Sequence, residues 1–167
     1  MRYANPAAHL LAALLAAGVL AACGTLASLA GGPRPQAPRW QTLALAAADN
    51  ANGNSALAVD VVLVKDKGVL DTLAAMPAAR YFAMRADLQR TFPEALTVLA
   101  VEITPGQVIQ LEPKRFGAER AWAALAFANY AAPGEHRARL LLERGGYVLQ
   151  LNAQGFVASD IRPGAAH

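Results

Sequence analysis

The stretch ALAVDVVLVK (residues 56–65) decides the expected fold. It is β-branched and largely apolar, which predicts a central β-strand. Directly before it, DNANGNS (residues 49–55) combines asparagine, glycine and serine, the residue types that build tight turns. The preceding WQTLALAAA (residues 40–48) alternates loosely, with Leu43 and Leu45 on one face, and predicts a first strand. The patterned region therefore begins with a strand, a polar loop and a second strand.

The periodicity changes after this second strand. In GVLDTLAAMPAARYFAMRADLQRTF (residues 68–92), apolar residues recur at helical spacing, first at Leu70 and Leu73 and later at Tyr81 and Leu88. Pro77 interrupts the pattern, because proline is not tolerated in the interior of a helix. We therefore expect a short helix and then a longer one, inserted between strands.

Strand patterns return in the second half of the chain, as LTVLAVEI (96–103), QVIQLEP (107–113), AWAALAFANY (121–130), HRARLLLER (136–144), YVLQL (147–151) and FVAS (156–159). The alanines of residues 121–130 would also suit a helix. Pro105-Gly106 predicts a type II turn, and Gly145-Gly146 predicts a two-residue hairpin. Eight short strands with one helical insertion predict a mainly β, two-sheet sandwich over residues 40–160.

The N-terminus has the pattern of an export signal. LLAALLAAGVLAA (residues 10–22) has no polar side chain, and its length suits a signal peptide better than a bilayer span of about 20 residues. It ends at Leu20-Ala21-Ala22-Cys23, which resembles the lipobox of bacterial lipoproteins. The resemblance implies removal of residues 1–22 and a covalent lipid on Cys23. A signal anchor over residues 7–30, or a chance cysteine in an ordinary secretory signal, are the alternatives.

The segments flanking the sandwich are expected to be extended. Residues 23–39 are small and rich in proline, which predicts a flexible tether behind the lipid. The residue after the cysteine is Gly24 and not the aspartate that favours inner-membrane retention of enteric-type lipoproteins. We therefore expect the lipid to anchor the protein at the periplasmic face of the outer membrane. Residues 161–167 are predicted to form a frayed tail.

Composition and motifs do not indicate a catalytic, metal-binding or nucleic-acid-binding site. The only cysteine is Cys23, which excludes an internal disulfide, and His136 is the only histidine inside the predicted domain. No phosphate-binding loop or dinucleotide fingerprint is present. The formal net charge is only +3, without a basic cluster beside aromatic residues, so no nucleic-acid partner is expected. We predict no enzyme, no metal and no cofactor other than the covalent lipid; a hydrolase using His136 is the minor alternative.

The polar loop is the main candidate for a functional site, although its residues also suit a simple turn. Arg80, Arg85 and Arg90 recur along the longer predicted helix and are expected to be its solvated face, with a docking surface as the alternative. The core is expected to hold the aromatic residues Tyr81, Phe82, Phe92, Trp122, Phe127 and Tyr130.

Taken in order, these features resemble the TssJ (SciN-type) outer-membrane lipoproteins of type VI secretion systems. The resemblance covers about residues 40–159 and the lipobox, and it includes ARYFAMRADL in the helical insertion and VEITPGQVIQL around the Pro-Gly turn. The family loop often has a proline after its first asparagine and a proline flanking the serine, where this chain has Ala51, Ala56 and Leu57. Asp60 stands where arginine is common, and His136-Arg137 replaces a Trp-Arg pair.

The resemblance implies a transthyretin-like β-sandwich and a structural role. It implies that the loop contacts the periplasmic domain of a TssM-like inner-membrane protein, in a trans-envelope channel with several copies arranged in a ring. The expected contact residues are Asp49, Asn50, Asn52, Gly53, Asn54 and Ser55. The alternative is a periplasmic lipoprotein that acts as an immunity protein or as a ligand-binding module.

Overall fold

The computed structural model describes residues 34–161. The predicted signal peptide (1–22), Cys23, most of the tether and residues 162–167 of the tail lie outside the described residues. None of the helices in residues 34–161 is long and apolar enough to cross a membrane.

Residues 34–161 form eight strands and two helices. In chain order, these are β1 (Thr42–Ala47), β2 (Leu57–Val64), α1 (Lys67–Ala74), α2 (Ala78–Thr91), β3 (Leu96–Ile103), β4 (Val108–Leu111), β5 (Ala123–Ala128), β6 (Arg137–Leu140), β7 (Gly146–Leu151) and β8 (Phe156–Asp160). Two short 3-10 turns occupy Ala51–Gly53 and Pro113–Phe116. The predicted strands and the helical insertion broken at Pro77 are confirmed.

The strands form two four-stranded sheets, in the orders β4-β1-β7-β8 and β3-β2-β5-β6. β1 and β7 are parallel, and every other pair between these strands is antiparallel. The predicted two-sheet sandwich is therefore confirmed.

The predicted hairpin at Gly145-Gly146 is wrong, because β6 and β7 belong to different sheets. Gly146 is instead the first residue of β7 and has no room for a side chain, because a Cβ at this position would lie 2.2 Å from the carbonyl oxygen of Thr42. The glycine therefore allows β1 to approach β7 closely.

β2 is buried on both faces, which explains its uninterrupted apolar sequence. Val59, Val61 and Leu63 point into the core between the sheets, together with residues of β1 and β7. Val62 and Val64 point the other way and pack beneath the two helices. Full burial of each such side chain stabilises the fold by about 1.5–3 kcal/mol.

One carboxylate lies among these apolar contacts. Asp60 of β2 is 1% exposed and accepts a hydrogen bond from the Tyr81 hydroxyl at 2.8 Å. Arg85 Nε lies 2.9 Å from the same carboxylate oxygen. The prediction that Arg85 belongs only to a solvated face is therefore wrong. Burial raises the pKa of Asp60, while the Tyr81 hydrogen bond and the Arg85 charge oppose that rise.

The expected aromatic core is confirmed in its main members. Tyr81 and Phe127 are buried and stacked with ring centroids 4.1 Å apart, and Tyr130 is also buried. Phe82 and Trp122 are partly buried against the helix-covered face. Phe92 is the exception at 37% exposure, because it follows the last residue of α2 and leaves the buried stripe of that helix.

The final residues of the predicted tether are attached to the domain. Gln36 forms an antiparallel bridge with Ala121, through backbone hydrogen bonds of 2.9 and 3.0 Å. The Arg39 amide donates to the carbonyl of Leu142 at 2.7 Å. The backbone is therefore hydrogen bonded to the sandwich from Gln36 onward, before the predicted domain start at residue 40.

Candidate docking surface

Four connections meet at one end of the sandwich. They are the β1–β2 loop (48–56), the β3–β4 turn (104–107), the β5–β6 loop (129–136) and the β7–β8 turn (152–155), which together we call the loop end. Because β1 and β7 are parallel, both strands end on this side of the sheet. The tether residues Gln36 to Arg39 precede β1 and lie at the opposite end, which we call the tether end.

The β1–β2 loop owes its shape to three successive left-handed residues. Asn52, Gly53 and Asn54 have φ values of 47°, 61° and 64°. Glycine adopts this conformation without steric cost, and asparagine tolerates it better than most residues do. The loop composition seen in the sequence is therefore the composition that this backbone requires.

Asn52 connects this loop to its neighbours. Its Nδ2 donates to the Ala56 carbonyl at 3.0 Å, and its Oδ1 accepts from the Ala131 amide at 2.9 Å. Its own backbone amide donates to the Asn152 carbonyl at 3.2 Å. Because the side chain is only 8% exposed, Asn52 positions the loop from within. It has little surface left to offer a partner.

The other predicted contact residues face solvent. Asp49, Asn50, Gly53, Asn54 and Ser55 are all exposed. They present one carboxylate, two amides, a hydroxyl and free backbone groups, which can form hydrogen bonds but offer little apolar area.

The β3–β4 turn packs close beside Asp49. The amide of Gln107 donates to the carbonyl of Thr104, and Gly106 has φ 74°, which confirms the predicted type II turn. A Cβ on Gly106 would lie 3.1 Å from a carboxylate oxygen of Asp49. The turn therefore also supports the loop sterically.

The β5–β6 loop completes the loop end. The Tyr130 hydroxyl donates to the Gly155 carbonyl at 2.7 Å, and the Tyr130 ring contacts that of His136 at 4.7 Å between centroids. Burial raises the pKa of Tyr130 to about 12, so the hydroxyl remains a donor at neutral pH.

His136 is held by its own loop. Its Nε2 lies 2.8 Å from the Ala132 carbonyl oxygen, and its backbone has φ 42°. The residue is half-buried. Within residues 34–161, no three His, Cys, Asp or Glu side chains are grouped as a metal site.

Comparison with known proteins supports the fold. No protein-family model matches the sequence, and no curated protein matches it significantly. The type VI secretion lipoprotein TssJ1 from Pseudomonas aeruginosa has a TM-score of 0.52 and 18% identity, over 77% of this chain and 98% of its own. Lip from Serratia marcescens, a membrane-bound component of the type VI secretion system, has a TM-score of 0.50 and 13% identity, over 71% and 95%.

A third similar structure is that of the type VI secretion protein TssM C-terminal domain (869-1107) from EAEC. A chain in it has a TM-score of 0.50 and 14% identity, over 72% of this chain and 97% of its own. At these identities the likeness concerns the fold. The resemblance to TssJ lipoproteins that the sequence motifs indicated is confirmed at that level: the chain has a TssJ-like fold.

Proposed function

We propose that this chain is an outer-membrane lipoprotein of a type VI secretion membrane complex. In this role its loop end docks the periplasmic domain of a TssM-like inner-membrane protein. The observation that carries the proposal is an exposed polar loop, held by the buried side chain of Asn52, on a TssJ-like fold.

The loop is prepared for binding before the partner arrives. The hydrogen bonds of Asn52 to Ala56 and Ala131 restrict the backbone around Gly53 and Asn54. Association costs less conformational entropy when the contact segment is already ordered. The exposed amides can then supply some of the roughly ten hydrogen bonds of a typical protein interface.

The two ends of the domain support a bridging role. β1 has six residues and connects the tether end with the loop end, a separation of roughly 20 Å at about 3.3 Å per residue. A lipid on Cys23 would anchor the domain to the membrane through its tether end. The loop end would then be directed away from the outer membrane and toward a partner in the periplasm.

The lipid anchor itself is part of the proposal. Cleavage before Cys23 followed by acylation would attach several acyl chains, and each buried methylene contributes about 0.8 kcal/mol to membrane binding. Such an anchor retains the domain without any transmembrane helix. Several copies bound to one channel complex would form the expected ring.

The test is a binding measurement with the mature lipoprotein in nanodiscs and the periplasmic domain of the TssM-like protein from the same bacterium. Asn50→Arg places a long charged side chain on the exposed loop and should weaken binding at least tenfold. The matched control is Gln41→Arg, at an exposed amide of the tether end. If Asn50→Arg and Gln41→Arg both bind like the wild type, the loop is not the docking site.

A further inference from the structure

The outer face of the β4-β1-β7-β8 sheet has an uncharged surface beside the loop end. The register places two rows of side chains there. The first row is Val108, Ala46, Gln150 and Val157, and the second is Gln110, Ala44, Val148 and Ser159. None of these eight residues is charged, although 16% of the chain is.

The row nearest the loop end carries the most exposed apolar side chains. Val108 is 64% exposed and Val157 is 56% exposed, whereas the other exposed large apolar residues of the described chain, Phe92 and Leu141, are 37% exposed. Their chain neighbours Ile109 and Ala158 pair with Leu45 and Leu149 and pack against the core, so both valines point outward. Ala46 and the uncharged, exposed Gln150 lie between them in the row.

The two sheets differ in how their outer faces are covered. The outer face of the β3-β2-β5-β6 sheet is covered by α1 and α2, which bury Val62, Val64 and Leu125. No helix within residues 34–161 packs on the outer face of the other sheet. In an antiparallel sheet with one face in solvent, the outward positions are normally polar, whereas this row has a valine on each edge strand.

The size of this face indicates what binds there. Four strands about 4.8 Å apart and two residue rows about 6.7 Å apart give an area of roughly 250 Å². A stable protein interface buries about 800 Å² on each partner, so the face alone is too small to hold two copies of this chain together. The face is continuous with the loop end, since Ala46 lies only three residues before Asp49. A protein docked on the loop end therefore lies directly beside this face.

We infer that the protein that docks on the loop end also covers this sheet face, with an uncharged, partly apolar surface that contacts Val108 and Val157. The inference rests on the proposed function and extends it. The polar loop supplies hydrogen bonds around the rim, and the valines supply apolar area that excludes water.

The experiment compares Val157→Glu and Val108→Glu with Leu141→Glu, in the nanodisc binding assay with the same TssM-like periplasmic domain. Leu141 is an exposed apolar residue that follows β6, near the tether end. We expect the dissociation constant to rise at least tenfold for each valine variant and less than twofold for Leu141→Glu. Thermal melting of all three variants verifies that they remain folded, and Val157→Ser and Val108→Ser provide milder changes at the same positions.

The possible outcomes separate this inference from the proposed function. Wild-type affinity in both valine variants, together with loss of binding in Asn50→Arg, would overturn the inference and retain the loop as the docking site. Absence of binding by the wild type would refute the proposed function, and the inference with it. If the valine variants abolish self-association of the lipoprotein but leave partner binding unchanged, the face is covered by a second copy and the inference is wrong.

Discussion

Replacement of Asn52 tests whether one buried amide holds the loop end together. Asn52→Ala removes the hydrogen bonds to Ala56 and Ala131 and places alanine at φ 47°. Asn52→Gly removes the same hydrogen bonds but tolerates this backbone conformation. Asn54→Ala is the matched control, because Asn54 is also left-handed at φ 64° but exposed.

The expected magnitudes follow from these contacts. Each lost hydrogen bond costs about 1 kcal/mol, and a left-handed alanine costs about 1 kcal/mol more. Asn52→Ala should therefore lower the free energy of unfolding by about 3 kcal/mol, Asn52→Gly by about 2 kcal/mol and Asn54→Ala by about 1 kcal/mol.

Urea unfolding at neutral pH measures these free energies, and thermal melting should show a decrease of about 4 °C for each kcal/mol. Binding should also weaken in Asn52→Ala, although its side chain is only 8% exposed. If Asn52→Ala is no less stable than Asn54→Ala, the two hydrogen bonds do not hold the loop. Equal stability of Asn52→Ala and Asn52→Gly would show that the backbone conformation carries no cost.

Three further predictions concern other parts of the molecule. Gly146→Ala should destabilise the domain by about 3 kcal/mol or more in urea unfolding, because its Cβ would lie 2.2 Å from the Thr42 carbonyl oxygen; wild-type stability would contradict the close β1–β7 approach. Burial raises the pKa of Asp60 above 3.8, so the folded state binds its proton more tightly than the unfolded chain does. Wild type should therefore gain stability relative to Asp60→Asn as the pH falls from the raised pKa toward 3.8, and a flat or reversed difference between pH 7 and pH 4 would refute this. Cys23→Ser should abolish acylation and membrane retention, as read by mass spectrometry and fractionation of the envelope; an unlipidated wild-type chain would contradict the proposed anchor.

The sequence by itself was sufficient for the local features of the fold. β-Branched runs predicted the strands, Pro77 predicted the division between α1 and α2, and Pro105-Gly106 predicted a type II turn that the structure shows. These predictions succeed because proline, glycine and β-branched residues restrict the backbone at their own positions. The composition of residues 49–55 likewise predicted a turn, which the left-handed Asn52 and its neighbours confirm.

Only the tertiary structure decided which strands pair and which polar groups meet. Gly146 serves a parallel contact with β1 instead of a hairpin turn, Arg85 reaches a buried Asp60, and Asn52 turns inward. Periodicity identifies the buried face of a strand, but it does not identify the segment that covers that face. A buried polar group needs a hydrogen-bond partner, because burial without one carries a desolvation cost of about 1–3 kcal/mol. In this protein such partners lie far away in the chain, so the local sequence does not identify them.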